Sequence, residues 1–77
     1  MLTIDGYIYD THIQFHEFFE THATATVYRT PVAGGRTKRI ARTGVRGKTK
    51  GITKRKAHDW MQAQISRDVL DRHPVKA

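Results

Sequence analysis

GITKRKAHDW, residues Gly51 to Trp60, decides how the chain reads, because a strand-like segment ends there and a helix-like one begins. Thr53 has the chemistry of an N-cap, its hydroxyl able to accept a hydrogen bond from one of the first free amides of the helix. Lys54, Arg55 and Lys56 then fall in the first turn. Cations there oppose the helix dipole by about 0.3–1 kcal/mol each. A phosphate at that point reverses the conflict, since the free amides, the dipole and the side chains all act on one anion. The stretch therefore reads as a phosphate clamp.

Downstream, Ala57, Trp60, Met61, Ile65, Val69 and Leu70 recur at spacings of three and four, which predicts a helix from Thr53 to about Arg72. Trp60 lies one turn beyond the basic cluster, and such a residue packs a helix onto its sheet more often than it stacks on a base. Pro74 turns His73 away from helical geometry and stops the element, leaving 73–77 as a loose tail.

Upstream, residues 48–52 read as a short strand ending at Gly51, with Gly44 and Gly47 forming a turn before it. Residues 36–43, RTKRIART, read as a longer strand. Strict alternation puts Arg36, Lys38, Ile40 and Arg42 on one face and Thr37, Arg39, Ala41 and Thr43 on the other, so both faces carry cations. Such a strand suits a sheet edge or an outer face turned to a ligand. TATVYRT, residues 24–30, is β-branched and aromatic and forms another strand, closed by Pro31 and Gly34-Gly35. LTIDGYIY, residues 2–9, alternates as a strand that Gly6 interrupts with a bulge or bend. Residues 11–22, THIQFHEFFETH, admit two readings. Thr11 and Gln14 match a capping box, which would gather Phe15, Phe18 and Phe19 on one face of a short helix. Alternatively, Ile13 and Phe15 alternate with polar neighbours in the second arm of a hairpin turning at Asp10-Thr11. The helix is preferred.

Seventy-seven residues make one domain with its core between about 24 and 72. A chain of this size buries only about 60% of the surface exposed when unfolded. The 38% hydrophobic content is low, but seven aromatics supply a core. The absence of cysteine excludes disulfides and thiolate zinc sites. The N-terminus lacks the pattern of a signal peptide and no stretch approaches a membrane span, so a soluble cytoplasmic protein without membrane contact is expected.

Charge is segregated. The first twenty residues carry four acids and no Lys or Arg, whereas Thr21 to His58 holds eleven of the fourteen Lys and Arg and no acid. A single-sign field of this kind steers polyanions and gains affinity by releasing their counterions. Evidence of chemistry is thin by comparison. Ser66 is the single serine, no nucleophile and base stand at a motif spacing, and neither GxGxxG nor GxxxxGK[ST] occurs. His12, His16 and Glu20 would stack on one face of the preferred helix at zinc-ligand spacing, yet no Glu follows the first His. Neither catalysis, a cofactor nor a metal is expected.

The order of strands followed by a helix entered through TKRKAHDW resembles the arm-type DNA-binding domain of tyrosine recombinases, related in shape to the plant AP2 domain. Thr53, Lys54, Ala57 and Trp60 fit the strand-to-helix junction of that family, and VYRT, GG and RTKRIARTG fit the preceding strand, turn and strand. The resemblance covers about half the chain, Ala25 to Ala63, and departs in the long GVRGKTKGI connection. It implies a three-stranded basic sheet laid in the major groove. Gly51, Thr53, Lys54, Arg55 and Ala57 also resemble the last helix of the double-stranded-RNA-binding domain, with His58 where a lysine is usual. A helix at 11–22 would make the order of elements match that family too, but the strand region here is shorter than usual and the glycine-proline-histidine pattern of its first turn is absent.

The expected fold is thus α+β, a small three-stranded antiparallel sheet on a C-terminal helix, with an N-terminal strand or short helix. The expected function is non-catalytic binding of duplex nucleic acid, DNA ahead of RNA, by a monomer or weak dimer. Lys54, Arg55 and Lys56, capped by Thr53, would grip phosphate, and Arg29, Arg36, Lys38, Arg39, Arg42, Arg46, Lys48 and Lys50 would contact phosphates or base edges. The alternative is a small phage- or plasmid-type inhibitor or adaptor that sets its basic face against an acidic protein partner, or in the nucleic-acid channel of a host complex.

Overall fold

The computed structural model describes residues 2–72, so the tail at 73–77 and the stop at Pro74 lie outside the described residues. Four antiparallel strands, β1 (Leu2–Ile4), β2 (Tyr7–Phe15), β3 (His22–Pro31) and β4 (Lys38–Arg46), form a sheet in the order β1-β2-β3-β4, and one helix, α1 (Lys50–Arg72), follows. The fold is the α+β arrangement expected, with a strand as the N-terminal element.

Asp5 and Gly6 both have positive φ, 51° and 81°. A two-residue turn with both centres left-handed matches the twist of flanking strands, and Asp-Gly is among its preferred pairs. The bend expected at Gly6 is therefore the β1–β2 hairpin. β2 then runs through Asp10 and Thr11 without turning and pairs residue for residue with β3, from Tyr7↔Pro31 to Phe15↔Ala23. The helix preferred for 11–22 gives way to the strand alternative over 11–15, whose hairpin turns at Asp5-Gly6 and not at Asp10-Thr11. A capping box would satisfy two amides of a short helix, whereas the ladder engages residues 11–15 one by one and half-buries Ile13 and Phe15, leaving 16–21 as the β2–β3 connection. His12 and His16 consequently share no helix face with Glu20.

α1 crosses one face of the sheet. Tyr9, Ala25, Val27, Ala57, Met61 and Ile65 make the core, and Ala25, Val27 and Ala57 have no exposed surface. Small side chains on facing elements let the helix backbone approach β3, and Tyr9 and Met61 fill the remaining volume. Trp60 and Val69 pack at the margin, as the helical spacing implied, but Leu70 is 59% exposed and belongs to the outer face.

β4 departs from alternation. Val27 pairs with Ala41 and Tyr28 with Arg39, leaving Ile40 as the extra residue of a β-bulge. Ile40 and Ala41 both pack against the core. A bulge shifts the face of every residue on one side of it. It lets a strand with too few apolar positions place two of them consecutively inward. Arg39 and Arg42, assigned to opposite faces by strict alternation, consequently share the outer one.

The helix begins earlier than its sequence pattern suggests. Thr49, not Thr53, is the N-cap: its hydroxyl accepts from the Ile52 amide at 3.2 Å, and its carbonyl accepts from the Thr53 amide at 3.0 Å. The strand expected at 48–52 is replaced by this cap and the first turn, and Gly44 lies within β4 instead of in a turn. Thr53 is fully buried, and its hydroxyl lies 2.7 Å from the Thr21 carbonyl and 3.0 Å from that of Thr49. It fastens α1 to the β2–β3 connection. Gly47 makes this closeness feasible, since a Cβ there would sit 2.8 Å from Ile52 Cγ2 and 3.0 Å from the Thr53 amide nitrogen. Gly47→Ala is expected to lower stability by about 1–3 kcal/mol through overpacking. Urea denaturation would read this as a lower midpoint at unchanged slope, and an unchanged midpoint would show that the junction yields freely.

Candidate nucleic-acid interface

With α1 covering the inner face of the sheet, the outer face has no covering element among the described residues. Cross-strand partners share a face, so the registers build it row by row. Asp10, Tyr28 and Arg39 form one row; His12, Thr26 and Arg42 the next; Gln14, Thr24 and Gly44 a third; and His22 with Arg46 closes the series. The bulge places Arg39 and Arg42 in adjacent rows. A shallow trough of about 290 Å³ lies over the middle, lined by His12, Gln14, Thr24, Thr26, Tyr28, Arg39 and Arg42. Donors, acceptors and one phenol occupy it, and its cations line the β4 side. Ion pairs among the described residues involve Arg29 and Arg72 and leave Arg39 and Arg42 out.

The other expected contacts divide among separate places. Arg46 joins Arg39 and Arg42 on the open face, while Arg36 and Lys48 stand exposed in the connections on either side of β4. Lys38 pairs with Arg29 and so faces the helix side. Lys50 opens the helix with its Nζ 4.9 Å from the Phe15 ring centre. Lys54, Arg55 and Lys56 are exposed in the second turn, not the first. At about 100° per residue, Arg55 projects some 200° from the buried Thr53, on the opposite side of the molecule from Arg39 and Arg42. Lys56 reaches back to the Arg46 carbonyl at 3.4 Å. These three fan around the helix and do not converge as one clamp.

Arg29 is committed to the fold. Its Nη1 donates to Asp68 Oδ1 at 2.6 Å, the Tyr9 hydroxyl donates to Asp68 Oδ2 at 2.5 Å, and Arg72 donates to the Tyr9 oxygen. Arg72 Nε also lies 3.3 Å from Asp68 Oδ2, and its guanidinium stacks 4.0 Å over the Tyr7 ring. Burial alone would push the Asp68 carboxyl up, but the hydrogen bonds from Tyr9 and Arg29 and the charges of Arg29 and Arg72 hold it below its ordinary value. Burial and the hydrogen bond to Asp68 push the Tyr9 phenol up. The cluster joins α1 to β2 and β3 on the covered side.

The β2–β3 connection ends the open face. Phe18 and Phe19 are 79% and 58% exposed there, beside Glu17 and Glu20, whose carboxylates repel a polyanion from this tip. The face residues Thr24, Thr26, His12 and Gln14 were missing from the sequence reading. Once Ala25 and Val27 are taken as core, the alternation of TATVYRT turns Thr24, Thr26 and Tyr28 outward, and that signal was present.

No helix among the described residues is long and apolar enough to cross a membrane. Compared with known protein families, with curated proteins and with solved structures, the chain finds no significant match.

Proposed function

We propose that this protein binds duplex DNA, without catalysis, by laying the open face of β3 and β4 in the major groove. The observation that carries this reading is the bulge at Ile40, which brings the exposed Arg39 and Arg42 onto the uncovered face beside the half-buried Tyr28 and Thr24, with Thr26 buried between them. The major groove, about 12 Å wide, admits a two-stranded ribbon. Arginines there can take guanine edges or phosphates, and hydroxyls serve either. Arg46 and Lys48 extend the cationic track past the end of β4 and meet the flanking backbone, while Lys50 stays over the Phe15 ring on the covered side. Lys54, Arg55 and Lys56 add long-range attraction more than direct grip.

DNA is favoured over RNA on geometric grounds, because the major groove of A-form RNA is too deep and narrow for a sheet face. The match of element order to the double-stranded-RNA-binding domain also needed a helix where β2 runs. The cationic β4 edge opposes edge-to-edge pairing of two copies, which favours a monomer. The setting proposed is the cytoplasm.

Fluorescence anisotropy against matched DNA and RNA duplexes at two salt concentrations tests the reading. The expected result is micromolar or tighter DNA binding that weakens steeply with salt, with a slope of about −0.9 per phosphate neutralised. Equal or tighter RNA binding would reassign the ligand. No binding at low salt would remove nucleic acid altogether and leave an acidic protein as partner.

A further inference from the structure

Gly44 sits in the interior of β4 on the open face, paired with Thr24, which is itself paired with Gln14. The backbone does not require a glycine there. Its φ is not in the left-handed region, and a Cβ built on it meets nothing within 4 Å. A glycine inside a strand gives up both stability and a side chain that could pack. Where neither conformation nor crowding explains it, the remaining physical use is to let another molecule approach the backbone. Among the rows that β4 completes, Gln14, Thr24 and Gly44 is the one without a cation, and it lies between Arg42 and Arg46.

Resting on the DNA-binding reading, we infer that this row is a base-reading notch that takes the major-groove edge of an A·T pair. The row spans about 10 Å, two interstrand spacings of about 4.8 Å, within the width of the groove. The Gln14 amide has the donor and acceptor to match adenine N6 and N7, and the Thr24 methyl suits the thymine methyl. The bare backbone of Gly44 lets the pair settle against the sheet. Arg42 and Arg46 hold the steps on either side.

The test uses the graded series Gly44→Ala and Gly44→Val together with Gln14→Ala. Each variant is measured for melting temperature, for affinity to a mixed-sequence duplex, and for the bases enriched from a randomised duplex pool. Both Gly44 variants are expected to melt at or above the wild-type temperature. Gly44→Val should bind at least tenfold more weakly, and Gly44→Ala should fall between. Gln14→Ala should lose an A·T preference at one position and bind the duplex that the wild type selects at least fivefold more weakly. Wild-type affinity and selection in Gly44→Val, or a retained A·T preference in Gln14→Ala, would overturn the notch while leaving DNA binding standing. If the wild-type protein retains no duplex from the pool, the DNA-binding reading fails and the notch falls with it.

Discussion

Replacing Arg39 and Arg42 together with Ala is expected to weaken duplex DNA binding by on the order of a hundredfold or more at moderate salt, since each base or phosphate contact by an arginine is worth about 1–3 kcal/mol. Both side chains are exposed and neither is ion-paired among the described residues. Stability should stay within about 0.5 kcal/mol of wild type, as for other surface substitutions away from packed features. Loss of binding with an unchanged melting curve would separate recognition from folding. The comparison that gives the experiment its force is Lys54→Ala with Arg55→Ala. Those residues lie on the helix, and Arg55 projects away from the open face. Their removal should weaken binding similarly for all sequences and flatten the salt dependence. If the helix pair proves costlier than the strand pair, the DNA lies against α1, and the sheet-face reading is wrong.

That comparison depends on a feature the sequence hides. The helix was legible because Ala57, Met61 and Ile65 repeat at its period, and β3 because its β-branched run is bounded by Pro31 and Gly34-Gly35. β4 was legible as a strand but not as a face. Alternation assumes that each residue reverses the side of the one before, and the unpaired Ile40 breaks this rule for everything beyond it. The N-cap was misplaced for a related reason. Thr49 and Thr53 are one helical turn apart and chemically alike. Only the close approach at Gly47 shows which caps the helix and which is buried beneath it. Residues 11–22 misled through local chemistry, since a capping box is visible within four residues whereas the β3 partners of β2 lie up to 24 positions away at Tyr7↔Pro31. Arg29 was counted as a contact because nothing in its neighbourhood of sequence announces Asp68, 39 residues on.

Asp68→Asn is the substitution expected to cost the fold most, about 2–3 kcal/mol. Removing one member of a fully buried ion pair costs about 3–5 kcal/mol, and the range is reduced here because the side chains retain roughly a fifth of their exposure, 19% for Arg29, 18% for Asp68 and 21% for Arg72. The variant keeps the shape but leaves the guanidinium groups of Arg29 and Arg72 facing Tyr7 and Tyr9 without a carboxylate. A chain of this length is stable by roughly 4–11 kcal/mol, so the loss is a large share of the total. The pH dependence identifies the cause. Asp68 is held below its ordinary pKa in the folded protein, so the unfolded chain binds the proton more tightly and acid favours unfolding. The contribution of Asp68 is fully present above the ordinary carboxylate range and is lost as pH falls from there through the lowered value in the fold. Urea denaturation of both proteins at pH 7 and in strong acid should therefore show a gap that closes on acidification. A gap of the same size at both pH values would mean that shape and packing at Asp68, not its charge, hold α1 to β2 and β3. Because the cluster lies on the covered side of the sheet, folded Asp68→Asn should bind DNA as wild type does, which distinguishes the network that maintains the sheet from the face that uses it.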